Sequence, residues 1–112
     1  MSVPGAADLL RHLREAAAQI AEFIDGLDES AFLADKRTQQ AVVLNLVILG
    51  EAATKLMDRY PDVAADFPGV EWRAMRGMRN RIAHGYYDID MRIVWQTVSD
   101  AVPTLAAALA SR

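Results

Sequence analysis

The sequence predicts an all-α fold, a bundle of four to five helices, and three observations carry that expectation. Apolar residues recur at three- and four-residue spacing over long stretches. No segment of strand length alternates apolar with polar residues. Gly26 and Pro61 fall where the periodic stretches stop, as helix-ending residues do.

The first helix is predicted from about Ala6 to Leu27, where Leu9, Leu10, Leu13, Ala17, Ile20, Phe23, Ile24 and Leu27 keep one face apolar. Gly26 and the Asp-Glu-Ser cluster break it, and a short Phe-Leu-Ala segment follows. Asp35 then caps a second long helix through LNLVILGEAATKLMDRY to about Tyr60. From Ala41 to Leu49 this helix is apolar all round, so one neighbour cannot cover it, and a second copy of the chain is the simplest additional cover. PDVAADFPGV is a connector with room for one helical turn. Glu71 to His84 forms the third main helix, with Trp72, Met75, Met78 and Ile82 on its buried face. Ile93, Val94, Val98, Ala101, Leu105 and Leu109 mark a last helix from about Asp90 to Ala110, with a kink expected at Pro103.

At 112 residues the chain suits one domain, residues 1–112, able to hide about 65% of its unfolded surface. There is no cysteine, hence no disulfide frame or thiolate metal site, and the N-terminus lacks a basic region before an apolar stretch. A cytoplasmic protein is expected. No uninterrupted apolar run reaches the ~18 residues of a membrane span, since AVVLNLVILG is broken by Asn45. The formal net charge of −3 argues against a basic coat for duplex nucleic acid. Positive charge is instead local: Arg73, Arg76, Arg79 and Arg81 lie within nine residues.

The stretch RNRIAHGYY, residues 79 to 87, is the candidate site. Gly85 suits a left-handed cap and His84 the negative end of the helix dipole, yet neither explains Asn80 or the Tyr-Tyr pair. On a straight helix Arg73, Arg76, Asn80 and His84 fall within about an 80° arc, while Arg79 projects about 140° from His84 toward the apolar side. Arg79 must therefore extend to water, pair with a buried acid or reach across an interface, and Glu51 in ILGEAATKL is the acid available. Only His12 and His84 occur, and no facing Glu-x-x-His pairs exist, so metal ligands are lacking; no glycine-rich phosphate loop is present. Metal-free RNA cleavage does fit: a base draws the proton from a 2′-hydroxyl and a cation steadies the charge building on the phosphorane. With one good histidine, a two-fold dimer bringing two copies of His84 to one groove supplies both acid and base.

RNRIAHGY resembles the Arg-x4-His-x-Tyr motif of the HepT-like branch of the HEPN superfamily, small helical RNases. The resemblance extends over about residues 8 to 110, through DKR before the second helix, LGEAATKL, EWRAMRGMRNRIAHGYYDID, and Val94-Trp95 with the proline and leucines that follow. It implies an antiparallel HEPN-type bundle working as a homodimer. It further implies a metal-independent endoribonuclease toxin of a type VII-like toxin–antitoxin pair, with Arg79 and His84 as the catalytic pair and Asn80 as the polar residue after the arginine. The implied partner is a minimal nucleotidyltransferase antitoxin that adds AMP to the tyrosine two places after the histidine, here Tyr86, with Tyr87 as its neighbour. Arg73, Arg76 and Arg81 are the candidate RNA-phosphate contacts. Two other classes compete: a non-catalytic helical binding partner of a nucleotidyltransferase, suited by the acidic net charge and apolar second helix, and a histidine phosphotransfer bundle, which usually wants a lysine where Tyr87 stands.

Overall fold

In the computed structural model, which describes residues 4–110, the helix Lys36–Arg59 (α3) is the axis around which the rest is arranged. It lies between α1 (Ala6–Ile24) and α5 (Trp72–Gly85). The Tyr60 hydroxyl donates to the Pro4 carbonyl at 3.3 Å, which ties the end of α3 to the start of α1 and makes the two antiparallel. Two five-residue helices occupy the connectors, α2 (Glu29–Leu33) and α4 (Pro61–Ala65). After a single 3-10 turn, Tyr86–Asp88, the last described helix, α6 (Met91–Ala110), packs on α1. No strand occurs among the described residues. The fold class is therefore the all-α bundle the sequence predicts; α4 is the single turn expected of PDVAADFPGV, and the short Phe-Leu-Ala segment is helical as well, in α2.

The apolar spacing of α1 explains its packing. Leu9, Leu13, Ala16, Ala17 and Ile20 are buried and join Val42, Val43, Leu46, Leu49, Ala53 and Leu56 of α3 in one core cluster. The helix stops at Ile24, three residues before the expected Leu27, because Gly26 takes φ 77°, a left-handed conformation that side-chain-bearing residues resist. Phe32 brings α2 into the core and lies against Trp95 of α6, ring centroids 5.3 Å apart. Trp72 ties the start of α5 to α4 by donating from its indole to the Ala64 and Phe67 carbonyls. On α5 only Ile82 is fully buried; Trp72, Met75 and Met78 are half-buried against the core rather than enclosed, since α5 packs mainly on α3.

Pro103 perturbs α6 differently from a simple kink. The turn before it, Thr97–Ala101, widens to π geometry, and the Val102 N–H reaches back five residues to the Thr97 carbonyl. A proline has no N–H to continue the regular ladder, and one wide turn accommodates the loss. By length and apolarity α3 and α6 both match a membrane span although neither is an uninterrupted apolar run, but half of that stretch in α3 is buried inside the bundle.

Asp35 caps α3 as expected: its carboxylate accepts from the Thr38 N–H at 3.1 Å and the Thr38 hydroxyl at 2.7 Å. The Thr38 hydroxyl first, then its amide, hold the Asp35 pKa below the usual 3.8. A depressed carboxylate contributes stability that is present above its unfolded pKa and is lost as pH falls through the lower folded value. Asp35→Asn should therefore melt below wild type at neutral pH, and the gap should close as pH falls below the ordinary carboxylate range. A gap in Tm that stays constant down to that pH contradicts the account.

Candidate active site

Helix α5 carries every candidate catalytic and RNA-contact residue, and its grip on α3 decides where each one points. The two helices run antiparallel: Arg76 reaches Thr54 and Asp58, while Arg79, one turn on, reaches Glu51. At Gly50 the two helices are in tight contact. A Cβ built there would overlap the Arg79 Cβ and lie 2.9 Å from both the Arg79 Cγ and the Met75 carbonyl oxygen. Glycine is thus required at this position by contact with α5, not by its backbone angle.

The expected pairing of Arg79 with Glu51 is present. Arg79 Nη1 donates to Glu51 Oε1 at 2.5 Å, with the arginine side chain 22% and the glutamate 46% exposed. The Arg79 Nε is buried and has no partner among the described residues. His84 stands exposed in the last turn of α5, and among the described residues no hydrogen bond joins it to Arg79. The pair is separated by about 140° around the helix and about 7.5 Å along it. Asn80 is exposed one turn before His84. The chain therefore presents its arginine and its histidine to different sides of one helix end.

Gly85 does not form the left-handed cap that the sequence suggested. Its φ is −153°, and the chain leaves α5 directly into the 3-10 turn carrying Tyr86 and Tyr87. Their rings lie 5.8 Å apart; Tyr86 is 41% exposed and Tyr87 99%. Both tyrosines thus reach solvent within three residues of His84.

Of the remaining cations, Arg73 and Arg81 are exposed, whereas Arg76 is drawn onto α3 by Asp58 at 2.7 Å. That pair is largely solvated and contributes about 0–1 kcal/mol, so a phosphate could compete for Arg76. Arg73 and Arg76 border an open groove of about 660 Å³ together with Trp72, Pro61 and Met57. A second, apolar groove of about 430 Å³ lies over Leu46, Leu49, Met75, Met78 and Leu105. Its lining includes Glu71 and Asp100 but no cation, which disfavours a phosphate backbone as its occupant. The residues that the sequence did not single out are Gly50, Thr54 and Asp58. Their signal is the i, i+4, i+8 spacing of a small and two polar residues on one face of α3.

Among the described residues no three His, Asp or Glu side chains stand together as a metal-holding group. What the arrangement offers is a cation fixed by a carboxylate, an exposed imidazole at a helix end and two exposed arginines, Arg73 and Arg81. That chemistry suits acid–base cleavage of a phosphodiester on a helical scaffold.

Residues 13–111 match the family model described as Ribonuclease HepT-like, and the chain belongs to that family. It is 36% identical over 98 residues to the protein named "Probable ribonuclease HepT" of Thermococcus cleftensis, covering 88% of this chain and 86% of that one. It is 33% identical over 96 residues to a Methanocaldococcus jannaschii protein whose name reads "Putative RNase", covering 86% and 85% of the two chains. A Caldanaerobacter subterraneus protein, whose name likewise reads "Putative RNase", is 28% identical over 96 residues, covering 86% and 83%. No solved structure matches. The helical bundle is thus of the HEPN type that the motif suggested.

Proposed function

We propose that this protein is a metal-independent endoribonuclease that cuts RNA by attack of a 2′-hydroxyl on the adjacent phosphorus. The observation that carries the reading is the Arg79–His84 motif on α5, with Arg79 fixed to α3 by Glu51 and His84 exposed, in a Ribonuclease HepT-like chain. Imidazole takes the 2′-hydroxyl proton, the 2′-oxygen bonds to phosphorus, and the 5′-oxygen leaves with a proton returned by a second acid. The products are a 2′,3′-cyclic phosphate and a 5′-hydroxyl. The Arg79 guanidinium offsets the charge on the phosphorane, and Asn80 supplies a polar contact beside it. Arg73, Arg81 and, on release from Asp58, Arg76 hold flanking phosphates.

The second acid is the His84 of another copy. Leu44 and Ile48 form an exposed apolar pair on α3, 60% and 38% accessible, two turns and one turn before Glu51 respectively. A homodimer seated on them would bring the partner beside Arg79. Leu44→Glu with Ile48→Glu is expected to yield a folded monomer by light scattering and to lose cleavage. A double variant that remains dimeric would move the interface elsewhere.

The toxin role, a cytoplasmic site of action and control by a nucleotidyltransferase antitoxin belong to the same reading. AMP on Tyr86 would set a phosphodiester charge and a bulky group beside His84, repelling the RNA phosphate. The exposed hydroxyl-bearing turn supports access. Intact-mass measurement after incubation with the partner and ATP should show AMP addition that Tyr86→Phe abolishes and Tyr87→Phe retains. The core of the proposal is tested with end-labelled single-stranded RNA in EDTA beside DNA of the same sequence. Cleavage of RNA alone is expected; cleavage of both, or of neither by protein confirmed free of AMP, contradicts it.

A further inference from the structure

The contact between Arg79 and Glu51 is not needed to hold the fold together. The carboxylate is nearly half exposed, and ion pairs so placed contribute little to stability. The α3–α5 packing is already set by the close approach of Arg79 and Met75 to Gly50 and by the buried Ile82. Glu51 nevertheless stands where the Arg79 side chain emerges from that contact, and it takes one end of the guanidinium, Nη1.

Arginine carries five N–H donors in a planar fork. Among the described residues the Nη1–Oε1 bond is the one hydrogen bond of this guanidinium, and the Nε–H is buried and unpartnered. A side chain with a stem fixed by packing and a head fixed at a single nitrogen has lost its rotamer freedom but still has donors to offer. This is the arrangement that phosphorane stabilisation requires, since donors set in place beforehand need no reorganisation as charge develops.

We infer that Glu51 is a positioning residue for Arg79. It holds the guanidinium in one orientation over α3, so that the remaining Nη N–H donors, and not the buried Nε–H, meet the scissile phosphate. The inference rests on the ribonuclease reading for its catalytic consequence but has a readout of its own. The Arg79 side-chain N–H signal, assigned with Arg79→Lys, reports whether the guanidinium is ordered, in the absence of RNA.

Wild type, Glu51→Ala and Glu51→Gln are compared by that signal, by Tm, and by kcat and KM on single-stranded RNA. In Glu51→Ala the Arg79 signal should lose its separate position and exchange faster. Its kcat should fall about 10²-fold, the cost of misplacing a group by about an ångström, while KM and Tm change little. Glu51→Gln keeps an oxygen acceptor and should restore the signal and most of kcat. An unchanged Arg79 signal in Glu51→Ala, an unchanged kcat, or a Gln variant no better than the Ala variant overturns the inference. If wild type cuts no RNA while the Arg79 signal collapses in Glu51→Ala, the ribonuclease reading fails and the anchoring of Arg79 stands.

Discussion

Replacing His84 by alanine is expected to lower RNA cleavage about 10²- to 10⁴-fold, the range over which a positioned proton-transfer group accelerates a reaction. The expectation follows from where the residue stands. His84 is exposed in the last turn of α5 and lies outside the buried cluster of the bundle. Its removal leaves no cavity and no unpaired buried group, so Tm should stay close to wild type. Activity and stability therefore separate at this position. A folded His84→Ala protein that cuts RNA at the wild-type rate would place the proton-transfer chemistry elsewhere. Because both copies of His84 are assigned to one groove, mixed dimers of His84→Ala with wild type should also be impaired beyond the simple dilution of active chains.

The largest loss of stability from a single methyl group is expected at Gly50. Alanine there forces its Cβ into Arg79 and within 2.9 Å of the Met75 carbonyl, which is backbone and cannot step aside. Helices α3 and α5 must separate, and overpacking of this kind costs about 1–3 kcal/mol. Cleavage should fall as well, since the displaced group is Arg79 itself. Gly77 provides the comparison: it lies on the facing helix α5, is exposed, and has nothing within 4 Å of an added Cβ. Gly77→Ala removes a poor helix former and should raise stability by up to about 1 kcal/mol. The same chemical change thus has opposite signs at two glycines, read by thermal melting of the two variants. Equal effects would mean that the Gly50 contact does not limit the approach of the helices.

What could be read from the sequence divides along physical lines. The long helices α1, α3, α5 and α6 are written as periodicity, and Asp35 announces its cap locally. The Arg79–Glu51 pair was legible because a charge within an apolar segment needs a partner, and only one acid was placed to serve. The exposed Leu44 and Ile48 follow in the same way from a helix that is apolar all round. Features that depend on the register between two helices were not legible. The binding of Arg76 by Thr54 and Asp58, and the fit of Arg79 over Gly50, require knowing how far α5 slides along α3. Nor does any local rule announce that Gly85 keeps a negative φ: the chain continues into a 3-10 turn, and the expected left-handed cap is not needed. The π turn before Pro103 is a third case, where the missing N–H is evident but the way the helix absorbs it is not.

The most direct test of the central claim is made on the substrate. A single-stranded RNA is cut in EDTA, its cleavage site is mapped, and the same oligonucleotide is made with one 2′-deoxy sugar on the 5′ side of that bond. The expected result is product ending in a 2′,3′-cyclic phosphate from the all-ribose strand and no cut at the 2′-deoxy position. Cleavage that persists there, or product ends without a cyclic phosphate, would show that water or another nucleophile attacks the phosphorus. In that case Arg79 and His84 would have to be assigned different roles.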